Sequence, residues 1–113
     1  MVARNTLLTA PPYNILQVLG RLGANLRTAR LRRRLTIADV AQKIGVGVRA
    51  VSDAEKGKPS TSIAVYIALL WVFNLLNEVE TLADQNNDKE GQALAFSREG
   101  LRARKGKGLD NDF

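Results

Sequence analysis

The sequence predicts an all-α domain of five helices joined by short connections. Two observations carry this prediction. Apolar residues recur three or four positions apart along most of the chain, which is the period of a helix with one buried face. No stretch alternates apolar and polar residues in the manner of a half-buried strand. At 113 residues, the chain is long enough for one domain with a modest core.

The first predicted helix is long and rich in arginine. It runs from Ile15 to Arg33, with Asn14 as its N-cap, because apolar residues recur at helical spacing over this range. Gly20 and Gly23 weaken its middle by about 1 kcal/mol each relative to alanine. A kink near Gly20 is therefore compatible with the sequence.

The stretch from Thr36 to Gly57 predicts two short helices joined by a tight turn. Thr36 is the expected N-cap of the first helix, with Asp39 three residues later in the manner of a capping box. Gly45 is the expected left-handed terminator, since a residue with a Cβ is disfavoured there. The predicted bounds are 37–44 and 48–56, and Val51 and Ala54 share the predicted buried face of the second helix. This spacing is typical of a helix-turn-helix, which lays its second helix in a groove of DNA.

Two further helices and a tail complete the prediction. Residues 63–73 are almost uniformly apolar, so their helix must be buried over most of its circumference. Asn74 is expected to end it in the left-handed conformation. Residues 75–84 form the predicted fifth helix, with Leu75, Leu76, Val79 and Leu82 facing inward. A short helix over 91–98 precedes a segment with too few apolar residues to order itself. The predicted organisation is an irregular lead-in (1–13), a helix-turn-helix domain (14–84) and a polar, basic, partly disordered tail (85–113).

Composition excludes several classes of function. Cysteine and histidine are absent, which removes disulfides, thiolate nucleophiles and the commonest general base and metal ligands. Glu78, Glu80, Asp84 and Asp88 have no accompanying base, nucleophile or phosphate loop. We therefore predict no enzyme activity, no metal and no cofactor. We also expect no membrane segment and a cytoplasmic location, since the sequence shows neither a signal peptide nor a long apolar span.

The charge is unevenly distributed. Residues 1–58 contain 11 basic and three acidic residues, a net charge of +8, whereas residues 59–113 contain six and eight, a net charge of −2. A basic half that contains the two-helix motif favours an acidic partner. Double-stranded DNA is the expected one.

The stretch LTIADVAQKIGVGVRAVSDAEKGKPS resembles the Cro/C1-type (XRE) helix-turn-helix family, over about residues 22–76. The matching positions are Leu35, Thr36, Ala41, Gly45, Val46, Ser52, Glu55 and Gly57. The resemblance implies a five-helix, lambda-repressor-like DNA-binding domain, here with an extended N-terminal helix and a flexible C-terminal tail. The continuation SIAVYIALLWVFNLLNEVETLAD narrows it to the HipB-like antitoxins, which repress their own promoter as dimers and partner HipA-type kinases.

The resemblance also assigns roles to residues. Arg30 and Glu55 match positions that form a structural ion pair in the family. Arg49 is the only long donor on the predicted recognition helix, so we expect it to contact a guanine edge, where a bidentate pair discriminates by about 1–3 kcal/mol. The positions expected to contact bases are Val48, Arg49, Ala50, Ser52 and Asp53. The residues expected to contact phosphates are Arg27, Arg32, Arg33, Lys43, Lys56 and Lys58.

A homodimer is predicted from the apolar excess of the last two helices, because aromatic residues are enriched at interfaces. The residues assigned to this interface or to a partner protein are Tyr66, Trp71, Leu75 and Leu76. The alternative is that the aromatic residues fill the core of a single chain, an interpretation that is stronger for Phe73.

Four positions depart from the family pattern. Ile37 stands where glutamine commonly holds a phosphate, and Gly47 replaces the usual hydroxyl cap. Asp53 brings negative charge toward a phosphate-lined groove, which suits either a cytosine amine or an arginine partner. Arg34 stands where glycine is common. These departures leave open a protein-interaction module with little specific DNA binding, or a free-standing regulator without a toxin.

Overall fold

A computed structural model describes residues 6–110, and describes side chains as far as residue 104. Residues 1–5 of the predicted lead-in and 111–113 of the predicted tail lie outside this range. Every regular element within it is helical, which confirms the all-α fold. The elements are α1 (Thr6–Thr9), α2 (Tyr13–Arg32), α3 (Ile37–Ile44), α4 (Val48–Glu55), α5 (Ile63–Val72), a 3₁₀ helix (Leu76–Thr81) and α6 (Lys89–Asp110).

The N-terminal part is more regular than the sequence predicts. Four residues of the lead-in form α1, and α2 then runs without a break through Gly20. The prediction that Asn14 is the N-cap is wrong, because Pro12 occupies that position. The Pro12 carbonyl accepts hydrogen bonds from the amides of Ile15 and Leu16 at 3.1 and 3.2 Å. Asn14 thereby falls inside the first turn.

Four residues with left-handed backbone end the helices around the core. Gly45 and Asn74, with φ of 78° and 61°, have the conformation that the sequence predicts for them, and Gly57 has φ of 70°. Arg34 ends α2 with φ of 55°. The preference for glycine at this position in the resembled family therefore has a local reason, since a Cβ is disfavoured in left-handed backbone.

Helix α4 lies at the centre of the domain, where it contacts α2, α3 and α5. Val51 and Ala54, the two positions predicted to face inward, are completely buried. The remaining core side chains come from all three neighbouring helices. They are Leu26, Ala29, Val40, Ala41, Tyr66, Leu69 and Phe73.

The backbones of α2 and α4 meet at two glycines. A Cβ on Gly23 would lie 2.5 Å from the Glu55 carbonyl oxygen and 2.6 Å from that of Ala54. A Cβ on Gly57 would lie 2.5 Å from the Leu19 carbonyl oxygen. Only a residue without a side chain fits at either contact, so these glycines set the distance between the two helices.

The predicted fifth helix is a 3₁₀ helix instead. Asn74 turns the chain out of α5 and donates to the Trp71 carbonyl, while Leu75 donates to that of Leu70. The next residues form only the short 3₁₀ segment, with no buried side chain. Leu82, expected to face inward, is 71% exposed. The apolar spacing of this stretch therefore does not reflect an α-helix with a buried face.

Residues 78–110 form a compact unit of their own, distinct from residues 6–77. Its main element, α6, has 22 residues and replaces the short helix and disordered tail of the prediction. The Asp88 carboxylate accepts the Gly91 amide at 2.9 Å, and Gln92 donates to the Gln85 carbonyl at 2.9 Å. This capped start stabilises the first turn of α6. No helix in the described range is long and apolar enough to cross a membrane.

Candidate nucleic-acid interface

Hydrogen bonds at both ends of α3 define this helix and the corner that follows it. The Thr36 hydroxyl accepts from the Asp39 amide at 3.0 Å, and the Asp39 carboxylate accepts from the Thr36 amide at 2.9 Å. This capping box lowers the pKa of Asp39, chiefly through the bond from the Thr36 backbone. At the other end, the amides of Gly45 and Val46 both donate to the Ala41 carbonyl. The start of α4 is thereby held at a defined angle to α3.

Arg49 is the most prominent side chain on the exposed face of α4. A helix advances by about 100° per residue, which sets Arg49, Ser52 and Asp53 opposite the buried Val51 and Ala54. The side chain of Arg49 is 90% exposed. Of the other predicted base contacts, Val48 is exposed at the helix start, whereas Ala50 and Ser52 are partly buried. Of the five predicted positions, Val48 and Arg49 are therefore exposed, whereas Ala50, Ser52 and Asp53 are partly buried.

Asp53 forms ion pairs on both sides. Its carboxylate lies 3.2 Å from the Lys58 Nζ and 4.0 Å from the Arg49 Nε. The sequence suggests an arginine partner for Asp53, and the structure shows a second partner, Lys58. The lysine follows α4 across a turn, five residues from the carboxylate, so helical spacing does not reveal the pair. Neutralisation by these cations lessens the repulsion between Asp53 and a phosphate-lined groove.

Tyr66 holds the turn that carries Lys58. Its hydroxyl donates to the Lys58 carbonyl at 3.0 Å, and burial raises the pKa of Tyr66, with the charge of Asp53 acting in the same direction. The ring is buried in the core of a single chain. The assignment of Tyr66 to a dimer or partner interface is therefore wrong. Its spacing on an apolar helix does not distinguish a core position from an interface position.

Arg30 and Glu55 connect α2 to the end of α4. The Arg30 Nε and Nη2 donate to the two Glu55 carboxylate oxygens at 2.6 and 3.0 Å, and its Nη1 donates to the Leu35 carbonyl at 2.9 Å. Both side chains are more than nine-tenths buried. The hydrogen bonds to Glu55 raise the pKa of Arg30. The charged pair fixes both the position and the rotation of α4.

A family model described as a helix-turn-helix domain matches residues 21–82 of this chain. The chain belongs to the helix-turn-helix domain family. The match begins within α2 and covers the corner, the recognition helix α4, the turn at Lys58 and α5. No curated protein and no solved structure matches the sequence significantly. Membership of this family supports a DNA-binding regulator. The family model does not distinguish the XRE or HipB-like groups from other helix-turn-helix proteins.

Exposed basic side chains project from α2, α3 and the end of α4 in this helix-turn-helix domain. Four of the six predicted phosphate contacts are exposed and form no ion pair within the described range: Arg27, Arg32, Lys43 and Lys56. Lys58 is engaged by Asp53. Exposed, unpaired cations of this kind can contact phosphates without specifying sequence.

Arg33 has a structural role that the sequence does not suggest. Its guanidinium donates to the carbonyl of Ala29 at 2.9 Å and to that of Phe73 at 2.9 Å. It also lies over the Phe73 ring, 5.2 Å from the centroid. Arg33 thus caps the C-terminal ends of α2 and α5 together, which makes it a poor candidate for a phosphate contact. Arg33 and Phe73 are 40 positions apart, so local sequence patterns do not reveal this contact.

An apolar stripe runs along the outer side of α5. Ile63, Ile67 and Trp71 follow one another at intervals of four residues. Ile63 is 73% exposed and Trp71 is 59% exposed. Leu75 is also exposed, whereas Leu76 is partly buried. The stripe leaves a large aromatic residue, Trp71, exposed to solvent.

Proposed function

We propose that this protein is a sequence-specific DNA-binding transcriptional regulator that acts as a dimeric repressor. The observation that carries the proposal is the position of Arg49. It projects into solvent from α4, whose opposite face is buried and whose end is anchored by the Arg30–Glu55 pair. A donor on such a helix can select a base, because the helix holds its Cα and Cβ at one place and directs the side chain toward the groove.

The proposed binding mode separates affinity from specificity. Arg49 contacts a guanine edge, and Asp53 accepts from a cytosine amine or stays paired with Lys58. Four exposed cations, Arg27, Arg32, Lys43 and Lys56, contact the phosphates on either side. Because few side chains reach the bases, phosphate contacts supply most of the binding free energy, and affinity falls steeply with salt.

We infer that two copies pair through the apolar stripe of α5. Pairing covers Trp71 and Ile63, the two large exposed side chains of that helix. An isologous interface presents the two copies of α4 to two half-sites related by twofold symmetry. The operator is accordingly an inverted repeat.

A gel-shift assay tests DNA recognition. The chain is titrated into a duplex from upstream of its own gene, and separately into a random duplex of equal length. The proposal expects at least tenfold tighter binding to the upstream duplex, with log affinity falling linearly as log salt rises. Equal binding to both duplexes at every salt concentration would show that α4 selects no sequence.

Sedimentation of the Trp71→Glu variant tests the dimer. A buried carboxylate opposes pairing, so the variant sediments as a monomer while the wild type sediments as a dimer. Leu82→Glu is the matched control, because Leu82 is exposed and lies outside the stripe. A dimeric Trp71→Glu variant would place the interface elsewhere.

We also propose, at a finer level, that the protein is the antitoxin of a HipA-like kinase. The supporting observation is that residues 6–20 contain no charged residue, although Tyr13 and Val18 on this stretch are 74% and 62% exposed. A neutral, apolar surface suits a protein partner rather than DNA. Co-expression with a HipA-like kinase encoded next to the gene tests this. Wild type retains the kinase on a column and Val18→Glu loses it, while both proteins bind DNA equally.

A second candidate function is a protein-interaction module on the same scaffold. The Asp53–Lys58 pair favours it, since this pair engages one predicted phosphate contact and keeps a carboxylate on the exposed face of α4. In that case Arg49→Ala leaves repression intact. Under the primary proposal the same variant loses its preference for the operator.

A further inference from the structure

We propose that the C-terminal half of α6 binds the phosphate backbone of DNA flanking the site contacted by α4. This inference rests on the proposed function and extends it to a second surface. Its starting point is a charge reversal along the chain. Residues 78–90 contain five acidic residues and one basic residue, whereas residues 98–107 contain five basic residues and one acidic residue.

The arginines of this segment are available for a ligand. Arg98, Arg102 and Arg104 are exposed, and none forms an ion pair with a residue in the described range. Glu99 is adjacent to Arg98 and one turn from Arg102, yet it neutralises neither. Arg98 and Arg102 share one side of the helix. Together these side chains create a local excess of positive charge that attracts a polyanion.

The apolar residues of α6 do not form a single face. Leu94 and Leu101 lie on one side, but Phe96 is rotated by about 200° from Leu94 and lies on the opposite side. All three side chains are exposed. A helix that enters an apolar groove or lies on a membrane concentrates such residues on one face. Recognition by α6 is therefore electrostatic.

The ligand that fits this description is the duplex already bound by the helix-turn-helix. B-DNA carries one negative charge per ~1.7 Å of its axis, and α6, with 22 residues, extends for about 33 Å. An acidic protein would have to be recruited separately. Because α4 and α6 belong to one chain, DNA bound by α4 is held near α6, and such tethering gives effective concentrations on the order of millimolar for short linkers. Even weak phosphate contacts then become populated.

The glycine content of α6 adds a second expectation. Gly100, Gly106 and Gly108 each destabilise a helix by about 1 kcal/mol relative to alanine. A phosphate array that neutralises the surrounding cations reduces their mutual repulsion and favours the helical form. Helix content measured by circular dichroism therefore rises when DNA that covers α6 is added.

The test compares two duplexes and two variants of the full chain by fluorescence anisotropy over a salt series. One duplex contains only the operator, and the other extends it by about 12 base pairs on each side, roughly one further turn of DNA. The variant Arg98→Gln/Arg102→Gln/Arg104→Gln removes three charges while keeping good helix formers. The control Leu94→Gln/Phe96→Gln/Leu101→Gln alters the same helix without changing its charge.

We expect the arginine variant to have a shallower salt dependence on the extended duplex, by about 2.7 in the slope of log affinity against log salt, since each phosphate contact contributes about 0.9. On the short duplex its slope equals that of the wild type, and the control matches the wild type on both. The inference would be overturned if the arginine variant and the wild type had equal slopes on the extended duplex. It would also be overturned if only the control variant lost affinity for that duplex.

Two other outcomes separate this inference from the proposed function. If the wild type shows no preference for the operator, the proposed function fails. If that preference is intact but the arginine variant changes only the sedimenting mass, α6 associates with another copy, basic end against acidic end, and the inference is wrong.

Discussion

Helices α4 and α6 both present arginines to solvent, but they are supported in opposite ways. Helix α4 has eight residues, with Val51 and Ala54 completely buried and Glu55 in a buried ion pair. Helix α6 has 22 residues, and none of residues 89–104 is buried. A short helix acquires its position from tertiary contacts, whereas a long helix without such contacts depends on its own hydrogen bonds.

This difference suits two kinds of contact with DNA. A base edge must be met within a few tenths of an ångström, so it requires a side chain on a fixed support. A phosphate can be contacted by a cation from many directions, so the binding free energy depends more on the charge of the side chain than on its exact position. The comparison therefore predicts that changes which disturb the support of α4 have large effects, and that equivalent changes in α6 have small ones.

The largest effect is expected for Glu55→Ala. Removal of the carboxylate leaves the Arg30 guanidinium buried and unpaired, which destabilises the fold by about 3–5 kcal/mol in urea unfolding. Glu99→Ala, an exposed and unpaired glutamate on α6, changes the free energy of unfolding by less than about 0.5 kcal/mol. The double variant Arg30→Met/Glu55→Leu recovers most of the loss. Similar values for Glu55→Ala and Glu99→Ala would remove the distinction between the two helices.

Gly23→Ala is expected to destabilise the domain by about 3 kcal/mol, because its Cβ would overlap the carbonyls of Ala54 and Glu55 and force α2 away from α4. Gly100→Ala on α6 meets no atom within 4 Å. It should therefore raise helix content without shifting the main unfolding transition. Thermal unfolding followed by circular dichroism measures both quantities. A Gly23→Ala variant as stable as the wild type would show that α2 and α4 can move apart at little cost in free energy.

A smaller gain is expected for Arg34→Gly. The left-handed backbone at Arg34 is unfavourable for a residue with a Cβ, so glycine stabilises the end of α2 by about 1 kcal/mol. DNA affinity should stay the same, since Arg34 is not among the expected contacts. An unchanged or lowered midpoint of urea unfolding would show that the Arg34 side chain makes a compensating contribution.

The smallest effect concerns pH. The folded-state pKa of Asp39 is lowered, so its contribution is complete above the unfolded value and is lost as pH falls through the folded value. Stability therefore decreases below about pH 4. In Asp39→Asn this component disappears, which a comparison of unfolding midpoints between pH 6 and pH 3 measures. Parallel pH profiles for the two proteins would assign the acid sensitivity to other carboxylates.

The parts of the fold that the sequence predicts are those governed by local rules. The capping box of Thr36 and Asp39, the terminator Gly45 and the left-handed Asn74 each depend on neighbours within a few residues. The inward positions Val51 and Ala54 follow from helical period alone. These features recur in the structure with almost the predicted bounds.

The errors arise where distant contacts decide. Tyr66 has the same apolar neighbours in sequence whether it faces the core or a partner, and its bond to the Lys58 carbonyl distinguishes the two. Arg33 belongs to a basic run, but the Phe73 carbonyl 40 residues away accepts one of its hydrogen bonds. The sequence predicts too short a helix for α6 because none of residues 89–104 is buried, so no buried apolar face marks the helix in the sequence.

The central claim is that Arg49 on the rigid helix α4 selects the DNA sequence. The most direct measurement is the ratio of affinities for operator and random duplexes at one salt concentration, for the wild type and for Arg49→Ala. We predict that the ratio falls by about 1–3 kcal/mol, or five- to 150-fold, in the variant while its unfolding midpoint stays the same. An unchanged ratio in a folded Arg49→Ala variant would contradict the account.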